Sequence, residues 1–234
     1  MHSILLSLLA LSGVSTARPD VYFIRHGEKP HNGGIGLSDD GLERAECIRD
    51  IFGDHSDYNI GYIMAQKPKK SECRAPEDFH LPFGTWHTCD YFKANRITAH
   101  TYCQLWNIPT FETQLTGISL GGKRNRPYET VKPLAEDLSI KVDISCKRDD
   151  SECVKDTIDD YDGEGNILIC WEHHRMTDLV EELGYEDAPE YPDDRYDLIW
   201  TDPYPYTDIT EIVSEKCPGL DWTPDDWHYQ INLQ

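Results

Sequence analysis

The sequence predicts an α/β fold, a three-layer α/β/α sandwich around a mostly parallel sheet. Three observations predict it. Val21–Ile24 and, after Asn166, Ile167–Trp171 are apolar runs rich in β-branched and aromatic residues, the pattern of strands buried on both faces. Each run stops abruptly at a polar cluster, Arg25-His26-Gly27-Glu28 in the first case and Glu172-His173-His174-Arg175 in the second. Each cluster is followed by an amphipathic helical pattern, and such alternation along a chain lays helices over the faces of a sheet.

The elements follow in order. After the first strand, a loop carrying Gly33, Gly34 and Gly36 leads to a helix over Leu37–Gly53. Asp40 and Glu43 read as its capping box, Leu42, Ala45, Ile48 and Phe52 as its apolar face, and Gly53 as its C-terminal cap. Tyr58–Ala65 reads as a second strand, running into the basic turn Gln66-Lys67-Pro68-Lys69-Lys70-Ser71. A helix is predicted over Arg126–Leu138, with Pro127 at its start and a kink at Pro133. Ile140–Asp143 alternates like an edge strand, and a short helix follows near Val154–Tyr161. Asp162-Gly163-Glu164-Gly165 is a turn before the Asn166–Trp171 strand. Met176, Leu179, Val180 and Leu183 then mark a helix closed by Gly184. Tyr196–Trp200 and Ile209–Val213 are the last strand candidates.

The chain has 234 residues and 38% hydrophobic content, enough for one domain with a full core. Its formal net charge of -21 repels nucleic acid and anionic membranes at long range. It repels anionic substrates too, so any anion site must be locally basic. Residues 1–17 read as a secretory signal: Ile4–Leu11 is a short apolar core, Ser15-Thr16-Ala17 suits cleavage, and the mature chain starts at Arg18. No apolar run reaches transmembrane length, so no membrane association is expected after cleavage. The eight cysteines fit an oxidising compartment. Cys146 and Cys153 bracket a polar loop and are placed to pair. Cys47 with Cys217 is a further option, and Cys170, inside a strand, reads as a buried thiol. There is no Asn-x-Ser/Thr sequon.

Residues 18–234 thus read as a single domain with an atypical insertion at about 72–120. That insertion has no sustained period, and holds two tryptophans and three cysteines. It reads as an ordered lid, a disordered insertion or retained non-coding sequence. The last two are favoured, because joining Lys70-Ser71 to Gly122-Lys123-Arg124 gives a smooth sequence.

Arg25-His26-Gly27-Glu28 at a strand end, Asn32, Leu37-Ser38-x-x-Gly41 entering a helix, Arg126-Pro127-Tyr128-Glu129-Thr130 and a second strand-end histidine, His173, form a pattern. With it the chain resembles the histidine phosphatase superfamily, which includes phosphoglycerate mutases and acid phosphatases. The resemblance implies a phosphoglycerate mutase-like fold. Secretion and the Glu28-Lys29-Pro30 that follows the motif make it similar to small fungal members.

The chemistry stands beside the resemblance. A phosphate monoester is dianionic near neutral pH, and attack on it needs charge neutralisation and an in-line nucleophile. Neutral imidazole is competent, so His26 is expected to attack and form a phosphohistidine that water hydrolyses. Arg25 and Arg126 would fork onto the non-bridging oxygens, with Arg124 the alternative to Arg126. Protonated His173 would stabilise transition-state charge, and Asn32 would add a neutral donor. Three cations already face the phosphate, so no metal or other cofactor is expected. The run Glu172-His173-His174 alone is a poor metal set.

The proton donor has no matching motif position. Glu172 and Glu28 are the candidates, with Asp178, His174 and, in the insertion, Glu72, Glu77, Asp78 and Glu112 behind them. Lys67, Lys69 and Lys70 read as solvated charges that could steer anions. The expected function is a secreted phosphomonoester hydrolase acting on a small phosphorylated substrate. The alternatives are a mutase-like phosphotransferase and a catalytically weak phosphate-binding protein.

Overall fold

A computed structural model of the chain describes residues 18–69 and 124–221. The expected signal at residues 1–17, the whole insertion at about 72–120 and residues 222–234 lie outside the described residues. The described part is mixed α/β, with a five-stranded open sheet and four helices. The elements are β1 (Val21–Arg25), α1 (Asp39–Phe52), β2 (Ile60–Ala65), α2 (Arg126–Asp137), α3 (Ser151–Asp160), β3 (Asn166–Trp171), α4 (Met176–Leu183), β4 (Leu198–Asp202) and β5 (Glu211–Ser214).

Strand order is β2-β3-β1-β4-β5. β2, β3 and β1 are parallel, whereas β4 pairs antiparallel with both β1 and β5. The sheet is therefore more mixed than the sequence predicts, through one reversed strand. The reversal has a local cause. After α4 the long loop 184–197 carries the chain back to the edge where β1 and β3 end, so β4 enters there and runs against β1 rather than alongside it.

β1 and β3 occupy the middle of the sheet, which is why their runs are continuously apolar. Alternate residues serve opposite faces. Phe23, Ile169, Trp171 and Trp200 pack with α3 and α4 residues such as Ile158, Met176 and Val180. Tyr22, Ile24, Leu168 and Ile199 pack with Ile48 and Phe52 of α1 and Val131 and Leu134 of α2.

Three local expectations change. The α1 cap is Ser38, whose hydroxyl accepts from the Gly41 amide (3.2 Å), so Asp40 and Glu43 already lie inside the helix. α2 runs through Pro133 as one helix. Ile140–Asp143 contributes one bridge, between Met64 and Asp143, rather than a strand.

Cys47 pairs with Cys217 and Cys146 with Cys153, while Cys170 is a buried free thiol. The first bridge ties α1 to the chain beyond β5 across 170 residues. No helix among the described residues is long and apolar enough to cross a membrane.

Candidate active site

Parallel pairing brings the carboxyl ends of β1 and β3 to one edge of the sheet. Because β4 runs the other way, its leading loop arrives at the same edge. Arg25, His26, Glu172, His173 and the loop 192–197 gather there.

His26 is 5% exposed, and its amide donates to the Trp171 carbonyl (3.1 Å). Its Nδ1 lies 2.7 Å from the carbonyl oxygen of Gly27. A carbonyl can only accept, so Nδ1 carries the proton and Nε2 carries the lone pair. Burial pushes the pKa down to about 3. The Gly27 hydrogen bond opposes that shift, while the charges of Arg25, Arg126 and His173 reinforce it. The imidazole is neutral over the whole mildly acidic to neutral range.

Gly27 fixes the loop in two directions. Its amide donates to the Thr130 hydroxyl (2.8 Å), which in turn donates to the Arg126 carbonyl (2.9 Å). A Cβ at Gly27 would sit 2.9 Å from the Gly41 carbonyl oxygen in α1, so only glycine permits this approach. Gly27→Ala should cost about 1–3 kcal/mol of stability and lower any turnover at His26. Thermal melts beside a phosphatase assay check this, and an unchanged melting temperature would show that α1 can step aside.

Arg25 is 2% exposed. One terminal nitrogen donates to the carbonyls of Pro192 (3.3 Å), Asp193 (2.8 Å) and Arg195 (2.5 Å). The Tyr196 ring lies 3.7 Å from the guanidinium carbon, a cation–π contact. No carboxylate forms an ion pair with Arg25 among the described residues, and its Nε is buried without a partner. Burial lowers its pKa from the ordinary arginine value.

Arg126 stands at the start of α2 and donates to the carbonyls of Gly36 (2.8 Å) and Gly34 (3.0 Å). It therefore shapes the glycine loop as well as bearing on His26. Asn32 is placed differently from expectation. It is exposed, and its side-chain oxygen accepts from the Gly34 amide (3.0 Å), a turn role.

His173, 7% exposed, opens the short 3₁₀ turn His173–Arg175. Its Nε2 is 3.0 Å from Asp193 Oδ1. Its Nδ1 is buried without a hydrogen-bond partner, 3.6 Å from Glu172. Burial, Arg25 and His174 push its pKa down, with Asp193 and Glu172 opposing. The surroundings thus favour neutral His173 where the sequence reading has it protonated. His174 stacks on His173 (3.8 Å between ring centroids) but is exposed.

The two acid candidates separate. Glu172 lies at the site, 3.6 Å from His173 and 3.7 Å from Arg148, and its second oxygen is buried without a hydrogen bond. Glu28 is committed elsewhere: both of its oxygens are held by Arg44 at 2.7–3.1 Å. Asp178 pairs with Arg175 at 2.8 Å on the surface, and Glu72, Glu77, Asp78 and Glu112 lie outside the described residues. Ligand atoms of Glu172, His173 and His174 fall within 4.8 Å of one another, closer than adjacent residues suggest. Arg148 beside that group disfavours a cation there.

Sequence reasoning missed Asp193, Tyr196 and Arg44. Asp193 and Tyr196 belong to the loop before β4, and only the reversal of that strand brings them to His173 and Arg25. Arg44 is 1% exposed in α1. It bonds Glu28, Glu215 (2.5 Å) and Asp221 (2.7 Å), tying the loop after β1 to the chain that follows β5. No protein-family model matches the chain, and no curated protein is significantly similar to it.

Proposed function

We propose that this protein is a secreted phosphomonoester hydrolase working through a phosphohistidine on His26. The observation that carries the reading is the fixed tautomer: Nδ1–H is committed to the Gly27 carbonyl, and Nε2 is left as a neutral nucleophile among Arg25, Arg126 and His173. In the first step Nε2 attacks phosphorus, the P–O ester bond breaks, and the leaving oxygen takes a proton. Glu172 is the placed carboxyl nearest that role. In the second step water attacks the phosphohistidine, the N–P bond breaks, and phosphate leaves.

Arg25 holds one buried donor nitrogen without a partner, and His173 an unpartnered Nδ1 that donates once the ring is protonated, so a phosphoryl group at His26 would offer oxygens to both. A dianion there also supplies the negative charge that would let His173 accept a proton. Helices over both faces of the sheet suit the three-layer, phosphoglycerate mutase-like sandwich. Two disulfides suit an oxidising extracellular setting.

The test is to quench the protein with base after brief exposure to a ³²P-labelled monoester. Label on His26, stable to base and released by acid, is expected. A protein that turns over substrate without ever carrying label would exclude the covalent route. One that binds phosphate without turnover would be a binding protein.

A further inference from the structure

The loop 192–197 lies against Arg25 and His173, and it is fixed at its base. Tyr191, buried and 5.4 Å from Trp200 between ring centroids, accepts the Leu198 amide on its hydroxyl (3.0 Å) and so closes the loop on itself. Within it Arg195 holds Asp197 through two bonds of 2.6 Å. A loop tied in this way is a platform that can fix the side chains it touches.

Arg25 and His173 are each held by this platform through one nitrogen and left with another unpartnered. The carbonyls of Pro192, Asp193 and Arg195 all take one terminal nitrogen of Arg25, and Nε is left over. The Asp193 carboxylate takes Nε2 of His173 at 3.0 Å, and Nδ1 is left over among the described residues. An ionised carboxylate only accepts, so the proton of the neutral ring is on Nε2 and the lone pair on Nδ1.

The charged groups around His173 divide into two sets. Arg25, from the end of β1, and His174 oppose a charge on the ring, whereas Asp193 and Glu172 favour one. His26 is a further neighbour, and the Tyr191 ring meets His173 edge-on at 6.3 Å. Glu172 lies 3.6 Å from Nδ1, beyond hydrogen-bond length, and Arg148 draws on it from 3.7 Å. Asp193 is therefore the carboxylate that both bonds the ring and stabilises its charge.

We propose that Asp193 is a positioning residue for phosphoryl transfer: it fixes His173 so that Nδ1 meets a phosphoryl oxygen, and it stabilises the imidazolium that donates there. Asp193 acts through His173 and does not itself touch the substrate. Its effect on turnover rests on the hydrolase reading of His26, while its effect on the His173 ring does not. The Asp193 side chain is 80% exposed, so water screens the pair and the expected loss is modest.

The experiment compares the full-length wild type with Asp193→Ala, Asp193→Glu and Asp194→Ala. Turnover of p-nitrophenyl phosphate is measured across pH, and imidazole ¹⁵N–¹H spectra follow His173, identified by the signals lost in His173→Gln. Asp193→Ala should lower kcat about tenfold and change KM by less than about twofold, the pattern of an interaction realised in the transition state. The alkaline limb of its kcat profile should move to lower pH, because without the carboxylate His173 gives up its proton earlier. Asp193→Glu should recover most of the loss, since the exposed side chain has room for one more methylene. Asp194→Ala removes the same charge one residue along and should behave as wild type. In the spectra, neutral His173 should carry its proton on Nε2, and its titration midpoint should fall in Asp193→Ala. Inorganic phosphate should raise that midpoint in the wild type.

A neutral ring protonated on Nδ1, an unchanged midpoint in Asp193→Ala, or equal losses of kcat in Asp193→Ala and Asp194→Ala would overturn the assignment. A midpoint that depends on Asp193 and rises with inorganic phosphate, in a protein that turns over no monoester, would keep Asp193 as the partner of His173 and sink the hydrolase reading.

Discussion

His26→Ala should lower kcat/KM on p-nitrophenyl phosphate by about 10⁴–10⁶-fold, the scale of losing a covalent nucleophile. Wild-type rates in the variant would sink the mechanism. The same residue sets an acid limit. With its pKa at about 3, His26 loses its lone pair only near that pH, so kcat/KM should keep its nucleophile through pH 4. The profile of kcat/KM reports the free enzyme, and a limb near pH 6.5 that vanishes on no other substitution would show an ordinary imidazole instead.

Stability offers a check that needs no turnover. Unfolded His26 binds a proton below its ordinary pKa of 6.5 and folded His26 does not until about 3. The unfolded state therefore gains protons first, and stability falls as pH drops through that window, by about 1.4 kcal/mol per pH unit. Urea titrations at pH 6.5 and pH 4 should show the wild type losing more than His26→Ala.

The central strands were legible because both faces of β1 and β3 are covered, leaving no polar residue to blur the pattern. His26 and His173 were legible for the same reason: each interrupts an apolar run at the edge where parallel strands end. α1 shows where legibility stops. Its buried stripe is Gly41, Arg44, Ala45, Ile48 and Phe52, whereas hydrophobicity alone selects Leu42, which is 55% exposed.

An arginine takes the place where an apolar residue is expected. Nothing local explains it, since Glu28 is 16 residues away and Glu215 and Asp221 are 171 and 177. Asp193 escaped for a related reason, because its loop reaches His173 only through the antiparallel return of β4. Glu28 stands beside the motif in sequence, yet its carboxylate faces Arg44 of α1, a partner that adjacency does not announce.

Arg44→Ala should destabilise the fold by about 3–5 kcal/mol, the cost of removing one partner from a buried ion cluster. Arg44 stands alone against Glu28, Glu215 and Asp221. Glu215 is fully buried, and desolvation raises its pKa to about 8, with Arg44 opposing the rise and Asp221 and Asp197 adding to it. A carboxyl raised from 4.5 to about 8 holds its proton better folded than unfolded. Its contribution is therefore complete below pH 4.5 and is lost as pH rises through 8.

Asp202, buried without a partner and raised to about 7, acts in the same direction over a lower window. Between pH 7 and 8, of these two, only Glu215 still titrates on folding, so Glu215→Gln should flatten the stability loss there while leaving the acid limb of His26 in place. Denaturant titrations of wild type, Arg44→Ala and Glu215→Gln across pH 4 to 9 separate the effects. The Cys47–Cys217 bridge joins the same two segments as the ion cluster, so it limits how far they part when Arg44 is lost. The destabilisation by Arg44→Ala should then grow once the bridge is removed by Cys47→Ser/Cys217→Ser. Strictly additive losses would show that bridge and cluster act on the fold independently.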